Sequence, residues 1–184
     1  KYMSSFWYWR NEIDEITCKR IINLGKNKWE SSLLNNFEEV LKIRESKVVF
    51  TSEQWLYDIV FDYMYTANKN SGWNFEVDAA EDMQITKYDV GGHYDFHPDG
   101  DGLTTYKNIE NKFLDGKTRK ISMTIVLNND YEGGEFEFLG DEVILKEKAG
   151  TIIVFPSYKV HKVRPVTKGI RYSLVVWFVG TPFK

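Results

Sequence analysis

Two stretches in the first half of the chain carry apolar residues with the period of an α-helix. The first, Asn11 to Leu24, precedes Gly25, and this pattern predicts a helix that stops at a glycine. The second, Thr51 to about Asn68, begins with the spacing of a capping box between Thr51 and Gln54. Its apolar positions are Trp55, Leu56, Ile59, Val60, Tyr63 and Met64. An apolar face of this kind is typical of a helix packed on a sheet.

The residues around the second helix predict short extended segments. Before it, Leu33 to Leu41 is compatible with a short helix or a loop, and Val48 to Phe50 predicts a short strand. After it, Trp73 to Val77 and Met83 to Val90 predict strands, and the second of these leads into a turn at Gly91-Gly92.

The second half of the chain contains many short strand-like runs. They follow Gly100 to Thr118, a polar, glycine-containing segment without clear periodicity, which is typical of a functional loop or lid. The runs predict strands at Lys120–Asn128, Gly134–Leu139, Glu142–Lys146, Thr151–Phe155, Tyr158–Arg164 and Arg171–Val179. Helices followed by a dense series of short strands predict a mainly β fold, an antiparallel sandwich or barrel backed by N-terminal helices.

Composition and charge exclude several classes of protein. The chain has 184 residues, of which 42% are hydrophobic and 16% aromatic, so we expect one folded domain over 1–184 and no extensive disorder. The net charge of −3 argues against a nucleic-acid partner, because such proteins carry a basic surface. The chain lacks the roughly 20 consecutive apolar residues of a membrane span. Its first residues also lack an apolar core of signal-peptide length.

The single cysteine, Cys18, cannot form an internal disulfide, and we expect it to serve packing. This usage fits a reducing compartment, and the cytoplasm is the expected location.

Candidate chemistry lies in the stretch Tyr88–Asp99. His97 and Asp99 are two residues apart in a run with strand character, so both side chains are expected on the same face. A His-x-Asp tripeptide also occurs by chance and alone is weak evidence for a metal site. With His161 from a later strand-like run, it would complete the two-histidine, one-carboxylate arrangement that holds ferrous iron and leaves coordination positions open. His93 is off this pattern and is expected in a turn or at the surface.

Arg171 is a second candidate site residue. It opens the apolar run RYSLVVWFV, where burial of a guanidinium requires an anionic partner.

Several short motifs follow one another between about Arg44 and Gly180. They are Tyr88-x-x-Gly91-x-x-Tyr94-x-x-His97-x-Asp99, Arg119 to Asn128 (RKISMTIVLN), Gly133-Gly134-Glu135, Phe155-Pro156, His161, and Arg171-x-Ser173 with Trp177. In order and spacing the chain resembles the iron(II)- and 2-oxoglutarate-dependent dioxygenases, specifically the prolyl 4-hydroxylase-like group.

The resemblance implies a double-stranded β-helix, or jelly roll, with a core over about 73–180 and helical support over about 1–72. It also implies that His97, Asp99 and His161 hold iron(II), with 2-oxoglutarate and O2 as co-substrates and ascorbate as a further candidate cofactor.

The same resemblance implies a binding site for the co-substrate. Arg171 would pair with the distal carboxylate of 2-oxoglutarate, where many prolyl 4-hydroxylases have lysine, a departure that leaves the substrate open. Ser173, on the same strand face, would add a hydrogen bond. Tyr88 would be either a phenol near the keto acid or a core tyrosine.

The reaction that the resemblance implies is hydroxylation of an unactivated carbon, with succinate and CO2 as co-products. A prolyl or other residue of a peptide or protein is the favoured substrate, and a small molecule or free amino acid is the alternative. A nucleic-acid demethylating dioxygenase is a weaker alternative, because that family usually has a second arginine where this chain has Trp177. Asp99 favours hydroxylation over halogenation, since halogenases of this class leave the position free for halide.

For a peptide substrate we expect Gly100–Thr118 to close over the bound chain. Tyr106 would then either contact the substrate or pack the loop onto the barrel.

Overall fold

A computed structural model describes residues 3–36, 41–107, 110–141, 144–145 and 147–184. The helices of this part are α1 (Glu15–Leu24) and α2 (Gln54–Asn70). The strands are β1 (Trp7–Trp9), β2 (Glu30–Asn36), β3 (Leu41–Thr51), β4 (Ala79–Ala80), β5 (Met83–Tyr88), β6 (His93–His97), β7 (Thr118–Val126), β8 (Tyr131–Gly133), β9 (Phe136–Phe138), β10 (Ile144–Leu145), β11 (Ile152–Pro156), β12 (His161–Val163), β13 (Val166–Gly169) and β14 (Arg171–Gly180). In these described residues, no helix has the length and apolar character to span a membrane.

Most of the strands join one curled antiparallel sheet. Its order is β1-β11-β7-β14-β5-β3-β6-β12-β9-β10, with β2 paired to β3 and β4 paired to β14. β8 and β13 form a separate antiparallel pair. This arrangement confirms the predicted mainly β jelly roll with flanking helices.

The central strands β5, β7 and β14 have one apolar and one polar face, because side chains alternate along a strand. The apolar face packs against α1 and α2, and its fully buried members include Ile85, Ile125, Leu174 and Phe178. The helices contribute Ile21, Leu56, Val60 and Met64 to the same core. Burial of each such aliphatic side chain contributes about 1.5–3 kcal/mol. The opposite face lines the inside of the curled sheet and carries buried polar residues, including Thr86, Thr124, Arg171 and Ser173.

The first helix begins later than predicted. Asn11 has a φ of 50°, outside the helical region, and α1 starts only after Asp14. The Asp14 carboxylate caps the helix, because its Oδ1 accepts a hydrogen bond of 2.8 Å from the amide of Thr17.

The second helix also starts later, and the predicted capping box is wrong. Its N-cap residue is Glu53, whose side chain makes no capping hydrogen bond. Thr51 instead ends β3, where it pairs with Met83 of β5. Thr51 therefore belongs to the sheet and not to the helix that the sequence pattern predicted.

The prediction of a strand at Trp73–Val77 is wrong. The side chain of Asn68, near the end of α2, accepts a hydrogen bond from the amide of Phe75 and donates one to its carbonyl, each 2.9 Å long. Asn74 has a φ of 51°, which an extended strand does not allow. A side chain therefore takes the place of a neighbouring strand.

The prediction of a short helix or loop at Leu33–Leu41 is also wrong in its described part. β2 pairs with β3 from Glu30 opposite Val48 to Asn36 opposite Leu41, and residues 37–40 lie outside the described residues. Cross-strand pairing, which local periodicity does not report, decides this conformation. The first 72 residues therefore supply strands as well as helical support, and β3 lies between β5 and β6 in the sheet.

The later strands occur where they were predicted, with shifted ends. β7 covers most of Lys120–Asn128, and β9, β11, β12 and β14 fall within or nearly within their predicted ranges. Of Glu142–Lys146, the structure describes only the two residues of β10. The described residues of Gly100–Lys117 form neither helix nor strand, as expected for a loop. β1, β4, β8 and β13 were not predicted.

Candidate active site

Three potential metal ligands meet on the polar inner face of the sheet. His97 ends β6, Asp99 follows two residues later, and His161 opens β12 directly opposite His97 in the ladder. Oδ1 of Asp99 lies 3.4 Å from Nε2 of His97 and 3.6 Å from Nε2 of His161. All three ligand atoms lie within 4.8 Å of one another, so the cluster could hold a metal ion.

A β-bulge in β6 contributes to this geometry. Tyr94 pairs with Val163 and His97 pairs with His161, so three steps along β6 match two steps along β12. Tyr94 and His97 thereby face the same cavity, and their rings stack with centroids 3.4 Å apart.

Backbone carbonyls orient both histidine rings. Nδ1 of His97 lies 2.7 Å from the carbonyl oxygen of Asp95, and Nδ1 of His161 lies 2.9 Å from that of Lys159. Because a carbonyl only accepts hydrogen bonds, Nδ1 must carry the proton in each neutral ring. The lone pair of each Nε2 is then directed toward the cluster, as a metal requires.

The protonation states of the cluster also suit a metal. Burial acts to raise the pKa of Asp99, but the neighbouring rings of His161 and His97, whenever they carry a second proton on Nε2, outweigh it and hold the pKa below its usual range. Burial lowers the pKa of His161 and favours its neutral form. A carboxylate and a neutral imidazole are the forms that bind metals.

Arg171 lies in the same cavity as an uncompensated cation. Its side chain is 1% exposed, and Nε and Nη1 have no hydrogen-bond partner among the described residues. No described carboxylate lies within ion-pair distance of it. A buried guanidinium without a partner is unfavourable, so the site is suited to an anionic ligand.

The neighbours of Arg171 shape this part of the cavity. Ser173 is two residues along β14 and buried, and Tyr88 lies opposite Arg171 in β5 with its ring 5.6 Å from the guanidinium. Burial raises the pKa of Tyr88, so its hydroxyl remains protonated and can donate a hydrogen bond. Gly134 gives Arg171 room, because a Cβ there would lie 2.8 Å from its Cδ.

The structure therefore brings all six predicted site residues to one cavity. They are His97, Asp99, His161, Arg171, Tyr88 and Ser173. His93 does not line it and begins β6, with Nδ1 3.0 Å from the carbonyl oxygen of Gly91.

Sequence reasoning missed Arg44, which reaches the cavity from β3. Its side chain is 8% exposed, Nε donates a hydrogen bond of 2.9 Å to Oγ of Ser46, and the guanidinium lies 4.7 Å from the ring centroid of Tyr94. The alternation of Arg44, Ser46 and Val48, all buried, was an available signal. The predicted strand began only at Val48 and therefore did not include Arg44.

A second missed group surrounds Arg119. Its guanidinium donates to both carboxylate oxygens of Glu81, lies 3.9 Å from the ring of Trp177 and donates to the backbone carbonyl of Asp99 at 3.2 Å. The hydroxyl of Tyr106 donates to Glu81 at 2.8 Å. Of the two roles considered for Tyr106, this contact favours packing of the loop onto the barrel.

Comparisons with known proteins agree with this geometry. Residues 83–179 match the model of the 2OG-Fe(II) oxygenase superfamily. A PKHD-type hydroxylase of Picosynechococcus sp. is 39% identical over 82 residues, which are 42% of this chain and 37% of the relative. A second, from Janthinobacterium sp., is 38% identical over 98 residues, and the chain thus spans about two fifths of the length of such relatives.

Solved structures show the same fold. A viral collagen prolyl hydroxylase from Paramecium bursaria Chlorella virus-1, in a 2OG complex, superposes with a TM-score of 0.73 at 19% identity over 97% of both chains. A prolyl hydroxylase from Trichoplax adhaerens, in complex with a hypoxia inducible factor oxygen degradation domain peptide fragment, gives 0.62 at 17% identity and covers 95% of this chain and 83% of the other. The matching family model spans more than half of the chain and includes His97, Asp99, His161 and Arg171. The chain therefore belongs to the 2OG-Fe(II) oxygenase superfamily, and its fold is similar to that of prolyl hydroxylases of known structure.

Proposed function

We propose that this chain is an iron(II)- and 2-oxoglutarate-dependent dioxygenase that hydroxylates a prolyl residue of a peptide or protein. The observation that carries the proposal is that one cavity contains both three side chains that could hold a metal ion and the buried cation Arg171. Nε and Nη1 of Arg171 have no hydrogen-bond partner among the described residues. A metal site alone would fit many proteins. The added requirement for an anion fits an acidic co-substrate.

In this proposal His97, Asp99 and His161 hold iron(II), which, when bound, couples the oxidative decarboxylation of 2-oxoglutarate by O2 to hydroxylation of a carbon. Arg171 binds the distal carboxylate of 2-oxoglutarate bidentately, and the hydroxyls of Ser173 and Tyr88 donate further hydrogen bonds. Succinate and CO2 are the co-products.

The wall of the cavity supports a prolyl substrate. Tyr94 stacks on the metal ligand His97, and Trp177 lines the same cavity with its indole Nε1 buried and without a partner among the described residues. The guanidinium of Arg119 lies over the indole ring, 3.9 Å from its centroid, and helps to fix its position. Two aromatic rings can enclose a pyrrolidine ring, while the indole N–H donates to a neighbouring peptide carbonyl. The peptide-bound prolyl hydroxylase of similar fold supports the same substrate class.

Metal binding is tested first and without turnover. The His161→Ala protein should lose most affinity for Mn(II) in isothermal titration, since two ligands remain of three. The matched control is His93→Ala, which removes a histidine that does not line the cavity and should bind Mn(II) as the wild type does. Equal Mn(II) binding by His161→Ala and wild type would refute the assigned ligands.

Turnover is tested with iron(II), 2-oxoglutarate and a panel of proline-containing peptides. We expect peptide-dependent release of succinate and a product that carries one added oxygen atom on proline by mass spectrometry. Oxygen added only to free amino acids would favour the small-molecule alternative, and succinate release independent of every peptide would refute a prolyl substrate.

A further inference from the structure

With the proposed ligands bound, one positive charge in the cavity has no charged partner among the described residues. Iron(II) and Asp99 together carry one positive charge, 2-oxoglutarate carries two negative charges, and Arg171 supplies the remaining positive charge, so these groups cancel. Arg119 is neutralised by Glu81 through two hydrogen bonds. Arg44 also lines the cavity, and none of these groups balances its positive charge.

Arg44 has only part of its hydrogen-bonding capacity occupied. Among the described side chains, its one hydrogen-bond partner is Ser46, which accepts from Nε. Arg44 is only 8% exposed, so water compensates little of its charge, and no described carboxylate forms an ion pair with it. The ring of Tyr94 beneath the guanidinium provides a cation–π contact but no charge. The two terminal guanidinium nitrogens, Nη1 and Nη2, can therefore donate hydrogen bonds to an anionic ligand.

The position of Arg44 points to the substrate rather than the co-substrate. Arg44 lies opposite Tyr94 in the β3–β6 ladder, and Tyr94 stacks on His97, so one side chain separates Arg44 from a metal ligand. Arg171, with both Nε and Nη1 unpartnered, is the better partner for 2-oxoglutarate. An anion at Arg44 would thus belong to the molecule that enters beside Tyr94.

We propose that Arg44 binds a carboxylate of the substrate, close to the carbon that is hydroxylated. The inference rests on the proposed function and narrows it to a proline whose own carboxylate is free or whose neighbour is an acidic residue. A carboxylate is chosen because it matches the planar fork of a guanidinium and removes the remaining charge.

Two matched pairs of probes distinguish the sources of the carboxylate. N-acetyl-proline and N-acetyl-prolinamide differ only in the α-carboxylate. The blocked peptides acetyl-Gly-Pro-Glu-Gly-amide and acetyl-Gly-Pro-Gln-Gly-amide differ only in an acidic side chain. Binding to protein loaded with Mn(II) and 2-oxoglutarate is measured by isothermal titration, and succinate release is measured with iron(II). We expect the carboxylate member of one pair to bind roughly tenfold more tightly.

The variants test whether Arg44 causes that preference. Arg44→Gln should remove it by weakening the carboxylate member roughly tenfold while leaving the amide member and 2-oxoglutarate unchanged. The control Lys47→Gln removes a charge from the same strand at a half-exposed position that pairs with Asp89, and it should keep the preference. Should Arg44→Gln fail to fold by circular dichroism, Arg44→Lys, which keeps the charge without the fork, should show a reduced preference.

Equal binding within both pairs, including no binding at all, would overturn the proposal. So would a preference that survives Arg44→Gln, or a loss of 2-oxoglutarate affinity in Arg44→Gln as large as that in Arg171→Gln. If the wild type releases succinate equally with both members of each pair, the proposed reaction stands and only the role of Arg44 is refuted. Absence of succinate with every proline-containing probe would refute the proposed function itself.

Discussion

Replacing Arg171 with methionine should stabilise the ligand-free protein while abolishing its response to 2-oxoglutarate. The side chain is 1% exposed, and two of its nitrogens have no hydrogen-bond partner among the described residues. Replacing buried charges with apolar groups of similar volume stabilises proteins by about 1–4 kcal/mol. The contact of Arg171 with the Tyr88 ring, at 5.6 Å, offsets this by about 0.5–1 kcal/mol. A net gain between about 0 and 3.5 kcal/mol is expected.

The wild type should respond to ligand in the opposite way. A co-substrate at one hundred times its dissociation constant stabilises the folded protein by about 2.7 kcal/mol. With the anion site removed, Arg171→Met should show almost none of this gain. The assay is urea unfolding of Mn(II)-loaded and metal-free protein with and without 2-oxoglutarate. Arg164→Met serves as the control, since Arg164 is partly exposed and pairs with Glu137 outside the cavity.

A destabilised Arg171→Met protein that still gained stability from 2-oxoglutarate would refute this reasoning. Such a result would mean that the charge of Arg171 already has a partner in the folded protein and that the side chain stabilises the core by packing. A change of the same sign and size in Arg164→Met would show that the effect is not specific to the cavity.

Three further predictions concern the rest of the fold. Asn68→Ala should lower the free energy of unfolding by about 1–3 kcal/mol in urea, because it removes two hydrogen bonds to the partly buried backbone of Phe75; a loss below 0.5 kcal/mol would contradict this. Glu81→Gln should speed hydrogen exchange in the loop Gly100–Thr118 by releasing Arg119 and Tyr106, and unchanged exchange would show that the loop is held elsewhere. Burial raises the pKa of Cys18 to about 11, so thiol reagents at pH 8 should label it only on unfolding; rapid labelling of native protein would be inconsistent with that environment.

The cluster of candidate metal ligands could be predicted from sequence because most of its signal is local and histidine is rare in this chain. His97 and Asp99 obey strand alternation, and a chain with three histidines offers few choices for the third ligand. The strand that begins with Arg171 was equally clear, since an arginine at the head of an apolar run needs a special environment. Apart from the choice of His161, these features depend on near neighbours along the chain.

The features that were missed depend on partners distant in sequence. Asn68 takes the place of a strand partner for Phe75, which no periodicity reveals. Arg44 enters the cavity because β3 pairs with β6, and its pattern was hidden where the predicted strand was too short. The contact of Arg119 with Glu81 joins the start of β7 to the residues before β5, a pairing set by the sheet order.

The register of β12 against β6 has a consequence for the order of folding. His161 completes the proposed ligand set only when it lies opposite His97, and a slip of one residue would turn its ring to the other side of the sheet. The two strands are far apart in sequence, and contacts of this kind form slowly because a long loop must close first. A growing chain would already contain His97 and Asp99 yet bind metal weakly. Tight metal uptake would thus mark a chain whose sheet has closed correctly, and protein with a misregistered β12 would remain metal-poor.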